Sequence, residues 1–88
     1  MIEQTVTILN RKGLHTRPAA LLVKPAARFQ SELTLAKDGF EINGKSIIGV
    51  MTLAAEQGSQ LTIRVEGPDE EEAAAAIVAI FERKFDEE

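Results

Sequence analysis

The chain of 88 residues has no cysteine. That removes disulfides, thiolate metal sites and cysteine nucleophiles together. It also fits a reducing cytoplasm, where the protein is expected to reside. No apolar run approaches the ~20 residues of a membrane span, so membrane insertion is not expected. No basic patch followed by an apolar stretch opens the chain, so no signal peptide is expected. There is one histidine, His15. No carboxylate pair for magnesium and no glycine-rich phosphate loop accompany it, so neither a metal site nor ATP binding is expected, and no cofactor is called for. The net charge of −4 argues against general nucleic-acid binding. Linkers, repeats and low-complexity segments are absent. The length suits a single domain over residues 1–88. Its core must be efficient, because a domain this small buries only roughly 60% of the surface its unfolded chain exposes.

What is present is an uneven charge distribution. Arg11, Lys12, Arg17, Lys24 and Arg28 lie between Asn10 and Phe29 with no acid among them, whereas the stretch from Asp69 onward carries eight acids against two bases. A locally positive patch on an acidic protein suits a small anion or an acidic partner surface. On charge alone, a solvated face with chance clustering explains it equally well.

Hydrophobic periodicity gives the order of elements. Ile2, Val6 and Ile8 alternate with Glu3, Thr5 and Thr7, which predicts a strand with one buried face. Ala19, Leu22, Val23 and Ala26 follow helical spacing, with Leu21 off that stripe. Leu33 and Leu35 alternate with Glu32 and Thr34, and Phe40 and Ile42 with Glu41 and Asn43. Between these two strands Asp38-Gly39 supplies a two-residue hairpin turn, since both residues tolerate positive φ. Ser46 to Ala54 predicts one or two helical turns, and Leu61, Ile63 and Val65 a fourth strand. The last helix opens at Asp69 as N-cap, with Glu72 placed as in a capping box and Glu70 to Glu72 favoured by the helix dipole. Its apolar stripe runs through Ala74, Ile77, Val78 and Phe81, with Ile80 at an undecided edge. The order β-α-β-β-α-β-α, with every strand polar on one side, predicts a two-layer α+β sandwich: an antiparallel sheet covered by helices on one face.

His15 stands apart. Gly13 permits a sharp turn out of the preceding loop, and Pro18 is tolerated in a first helical turn. His15 is therefore expected at or just before a helix N-terminus, where free N–H groups and the dipole favour an anion. Arg17, two residues on, carries a planar fork that matches phosphate oxygens. Neutral imidazole is a nucleophile near pH 7 and attacks a phosphoryl group directly. Phosphoryl transfer needs chiefly positioning and stabilisation of charge on the equatorial oxygens. A helix end plus one arginine meets both needs.

The stretch Gly13-Leu14-His15-Thr16-Arg17-Pro18-Ala19-Ala20 resembles the active-site signature of the HPr family of phosphocarriers. Gly44-Lys45-Ser46-Ile47-Ile48-Gly49-Val50-Met51 resembles the family's second, regulatory motif. The resemblance covers essentially the whole chain. It implies an open-faced sandwich with sheet order 1-4-2-3, and phosphorylation of His15 through Nδ1 by enzyme I charged from phosphoenolpyruvate. It implies that Arg17 is the active-site arginine and that an enzyme IIA-type domain takes the phosphoryl group onward. The chain would then be a phosphotransfer intermediate rather than a free-standing catalyst, and a monomer.

From the residues alone Ser46 reads as the N-cap of the short helix. The resemblance implies that it is also the regulatory serine of an ATP-dependent HPr kinase/phosphorylase. Ile47, Ile48 and Met51 form an apolar cluster, of which one or two are expected in the core and the rest in a patch docking enzyme I and other partners. Leu21, Ala20, Leu14 and Thr16 extend or shape that patch. Pro25 is unusual for the family and is expected to kink or end the first helix near Lys24. The stretch Gly67 to Glu72 and the ending Phe85-Asp86-Glu87-Glu88 resemble the nitrogen-related branch of the family, whereas the Ser46 motif resembles the kinase-regulated branch. A regulatory binding protein, whose phosphorylation state selects partners with little phosphate flux, is the second functional reading.

Overall fold

A computed structural model describes residues 1–87. Alternation of apolar and polar side chains forms four strands: β1 (Ile2–Thr7), β2 (Glu32–Lys37), β3 (Phe40–Asn43) and β4 (Gln60–Glu66). All pair antiparallel in one sheet of order β1-β4-β2-β3. In register, Val6 stands opposite Leu61, Leu35 opposite Ile63 and Leu33 opposite Val65. These six side chains are buried. Their neighbours Glu3, Thr34 and Arg64 point to the open face, where Arg64 bonds Glu3 at 2.7 Å and also Glu41. Period-2 alternation can bury only one face, so the register is fixed by which set lies inside.

The helices α1 (Thr16–Ala26), α2 (Ile47–Thr52) and α3 (Glu70–Glu82) cover the apolar face. The expected open-faced sandwich and its strand order are thus what the chain adopts. The β2–β3 turn has φ of 52° at Asp38 and 83° at Gly39, as a two-residue turn of this hand requires. Helix α1 buries Pro18, Ala19, Leu22 and Ala26, with Val23 half-buried. Leu21, expected off the stripe, is half-buried against the core margin. Pro25 ends the helix close to Lys24, as expected, but two residues beyond it. The helix continues to Ala26 and then unwinds through tighter bonds from Arg28 N to Pro25 O and from Phe29 N to Ala26 O. Proline removes its own N–H and crowds the preceding turn, and the helix ends one residue after it.

Two expectations need correction. None of Ile47, Ile48 and Met51 is in the core; all three are exposed, Ile48 at 78%. The inward positions are taken by Val50 and Leu53 instead. Asp69 occupies the N-cap position of α3, yet its side chain makes no cap bond. It accepts the N–H groups of Gln30 and Ser31, each at 2.9 Å, and the Ser31 hydroxyl. Three donors from another segment outcompete one from its own helix. The expected return bond from Glu72 is replaced by one from Glu70, whose Oε1 accepts the N–H of Gly67, two residues before the cap, at 3.2 Å.

Helix α3 buries Ala73, Ala74, Ile77, Ile80 and Phe81, which settles Ile80 as core; Val78 is half-buried. A short 3₁₀-type turn, Lys84–Asp86, follows. Its three residues have φ of 56°, 54° and 57°. The reversal drives Phe85 into the core against Phe81, ring centroids 5.0 Å apart.

Candidate functional site

The loop before α1 is held by its backbone. Gly13 has φ of 70°, and its Leu14 neighbour donates to Ala55 O at 2.9 Å. A Cβ on Gly13 would lie 2.3 Å from that same Ala55 oxygen. Only glycine satisfies both the positive φ and the close approach. Leu14 is buried, which corrects its expected place on a partner surface: it anchors the loop from inside.

His15 is the N-cap residue of α1, with extended backbone and no side-chain cap bond. Its imidazole is therefore free to face outward, and it is half-buried. Ala19 is the first residue to donate into the helix, bonding His15 O at 3.0 Å. Thr16 and Arg17 precede it, and among the described residues nothing accepts their backbone N–H groups. Such unpaired donors, with the positive end of the helix dipole, attract an anion. Arg17 is exposed beside them. With Arg11, Lys12 and Glu87 it lines a surface depression of about 320 Å³. Three of the five bases in the Asn10–Phe29 stretch thus gather in one depression with Glu87.

Glu87 completes the site and was missed by sequence reading. Both its carboxylate oxygens lie 3.2 Å from His15 Nε2. Asn10, fully buried, holds it from below: Nδ2 donates to Glu87 Oε1 at 3.0 Å and to Gly13 O at 2.8 Å. The amide must face this way, since its carbonyl oxygen would meet two acceptors. Its Oδ1 has no partner. Burial raises the Glu87 pKa, but the bonds from Asn10 and His15 and the nearby charges of His15 and Arg17 outweigh that, leaving it below the ordinary value. The carboxylate is accordingly ionised at neutral pH. The only signal for it in the sequence was the contrast between a basic Asn10–Phe29 and an acidic end.

Of the other predicted residues, Thr16 is exposed, whereas Ala20 and Leu21 are half-buried along α1. Ile47, Ile48 and Met51 form an exposed apolar group on α2, which packs beside α1. Ser46 caps α2, its Oγ accepting Gly49 N–H at 3.1 Å. Among the described residues no group of three or more His, Cys, Asp or Glu side chains converges to hold a metal ion, and no helix is long and apolar enough to cross a membrane.

The family model described as the PTS HPr component phosphorylation site matches residues 2–83. The phosphocarrier protein HPr of Treponema pallidum (strain Nichols) is 52% identical over 88 residues, covering all of both chains. The phosphocarrier protein NPr of Escherichia coli (strain K12) is 40% identical, covering 99% of this chain and 98% of its own. The crystal structure of HPr-C-His from Thermoanaerobacter tengcongensis superposes with a TM-score of 0.96 at 48% identity, over 100% of this chain and 99% of that one. The chain belongs to the HPr family, the phosphocarriers of the phosphotransferase system.

Proposed function

We propose that His15 accepts a phosphoryl group from phospho-enzyme I, charged from phosphoenolpyruvate, and passes it to an enzyme IIA-type domain. The observation that carries this reading is an imidazole at the N-cap of α1 that makes no cap bond and has no described partner on Nδ1, beside two free backbone N–H groups and Arg17. In the forward step the lone pair of Nδ1 attacks phosphorus, a P–N bond forms, and the bond to the donor breaks with its electrons leaving on the donor. The Thr16 and Arg17 N–H groups and the Arg17 guanidinium neutralise the equatorial oxygens. The reverse chemistry delivers the group to the acceptor. His15, Arg17 and the apolar patch all come from one chain, and we take the carrier to be a cytoplasmic monomer.

Ile47, Ile48 and Met51, with Thr16, Ala20 and Leu21 along α1, form the docking surface; an apolar group with a basic rim suits an acidic partner face. Ser46 lies at its border. A kinase/phosphorylase that phosphorylates Ser46 would add close to two negative charges at that border and weaken docking. Sugar uptake and nitrogen-type regulation are alternative outputs of the same relay. The second reading, a regulator with little flux, is favoured by Ser46 alone. Label transfer from phosphoenolpyruvate through enzyme I and this chain to a IIA-type domain separates them. The relay reading requires label on the acceptor that disappears with His15→Ala; label that stops on the carrier favours the regulator.

A further inference from the structure

The end of the chain is shaped to bring a carboxylate to the histidine. Three consecutive non-glycine residues, Lys84, Phe85 and Asp86, have φ between 54° and 57°. Each such residue is disfavoured, and a run of them persists only where the surroundings over-determine it. Here two contacts do so: Phe85 is buried on Phe81, and Glu87 is held by buried Asn10. The result is a fork of two oxygens on one ring nitrogen, Nε2, and no described partner on the other.

A carboxylate accepts and does not donate. Its partner nitrogen must therefore carry the proton. In a neutral imidazole only one nitrogen does, so the other keeps its lone pair. We infer that Glu87, steadied by Asn10, is a positioning residue that fixes the proton of His15 on Nε2 and leaves Nδ1 as the nucleophile. The inference rests on the phosphocarrier reading and adds to it the group that selects the reacting nitrogen. Once Nδ1 bears a phosphoryl group, the same Nε2–H remains directed at Glu87, so the ring does not need to turn between uptake and release. Glu87 also holds the ring in one orientation, with Nδ1 directed away from the carboxylate charge.

The test uses the full chain and two variants, Glu87→Ala and Glu87→Gln. Long-range ¹H–¹⁵N spectra of the His15 ring are recorded at alkaline pH, where imidazoles are neutral, and initial phosphorylation rates are measured with enzyme I and phosphoenolpyruvate. Wild type is expected to show Nε2 protonated and Nδ1 bare. In Glu87→Ala the population protonated on Nδ1 should rise at least about twofold and the rate fall roughly three- to tenfold, in keeping with loss of one charge-assisted hydrogen bond. The Gln variant, whose amide oxygen still accepts Nε2–H, should recover most of both. A merely structural role would lower the melting temperature without moving the ring spectrum. Unchanged tautomer balance and rate in Glu87→Ala would overturn the inference, and so would a faster Glu87→Ala, which would make the carboxylate an electrostatic brake. If wild type itself takes up no phosphoryl group from an enzyme I active on another carrier, it is the phosphocarrier reading that fails.

Discussion

Phe85 meets Phe81 edge-on, with ring planes 70° apart, and this contact fixes where the chain turns back toward His15. Edge-to-face aromatic pairs are favourable beyond the area they bury. Both rings are almost fully buried. Replacing Phe85 with alanine should lower stability by about 3–5 kcal/mol, the usual range for a buried phenylalanine. It should also release Glu87 from His15. Chemical denaturation reads the first effect and the ring ¹⁵N spectrum the second. A loss under 1 kcal/mol would show that the C-terminal turn is not docked.

Gly13 predicts a coupled loss of stability and activity. Gly13→Ala forces a side chain into positive φ and against the Ala55 carbonyl. The cost is expected at about 1–3 kcal/mol. Because Leu14 is tied to the same carbonyl, the strain is relieved by moving the His15 loop. Phosphorylation of the variant should be slower even at temperatures where circular dichroism shows it fully folded. An unchanged rate would mean that the loop absorbs the methyl group locally.

Ser46 allows its two roles to be separated. Ser46→Ala removes the acceptor for Gly49 N–H and should cost about 1 kcal/mol, with little effect on phosphoryl uptake. Ser46→Asp keeps an acceptor at the cap, so stability should stay within about 0.5 kcal/mol of wild type. Its added charge at the edge of the apolar patch should slow uptake at His15. Equal uptake rates for Ser46→Asp and wild type would count against regulation through this residue.

Asp69 predicts the pH dependence of stability. The Ser31 hydroxyl bond, with the Gln30 and Ser31 N–H groups, holds its carboxyl below the ordinary 3.8 despite some desolvation. A carboxyl depressed in the folded state stabilises the fold above its unfolded pKa, and the contribution is lost as pH falls through the folded value. The variant Asp69→Asn, neutral at every pH, should melt below wild type at pH 7. The gap should narrow only once the pH drops below 3.8. Paired melting curves between pH 7 and about pH 2 check this. A constant gap would mean that ionisation of Asp69 is irrelevant to the α1–β2 loop.

These cases show which parts of the molecule were legible in the sequence. Leu33, Leu35, Leu61, Ile63 and Val65 alternate because the sheet buries one face, and the pattern alone gave their elements. His15 was legible because Gly13, Pro18 and Arg17 constrain it locally. Glu87 was not, since its contact spans 72 residues and depends on a left-handed turn with no glycine to announce it. Asp69 was placed at the right helix end, but its side chain serves Ser31, a choice made by the neighbouring loop. Leu14 was misread because a motif does not say which side of a loop faces the core. Ile47, Ile48 and Met51 show the converse: one or two of an apolar triplet on a two-turn helix were expected in the core, but Val50 and Leu53 fill it and all three stay exposed.

The central claim is that His15 carries the phosphoryl group. Its most direct test is intact mass after incubation with enzyme I and phosphoenolpyruvate, before and after mild acid, with His15→Ala alongside. One phosphoryl group on wild type, lost in acid and never gained by the variant, is the predicted result. A phosphoryl group that survives acid, or that appears on His15→Ala, would contradict it.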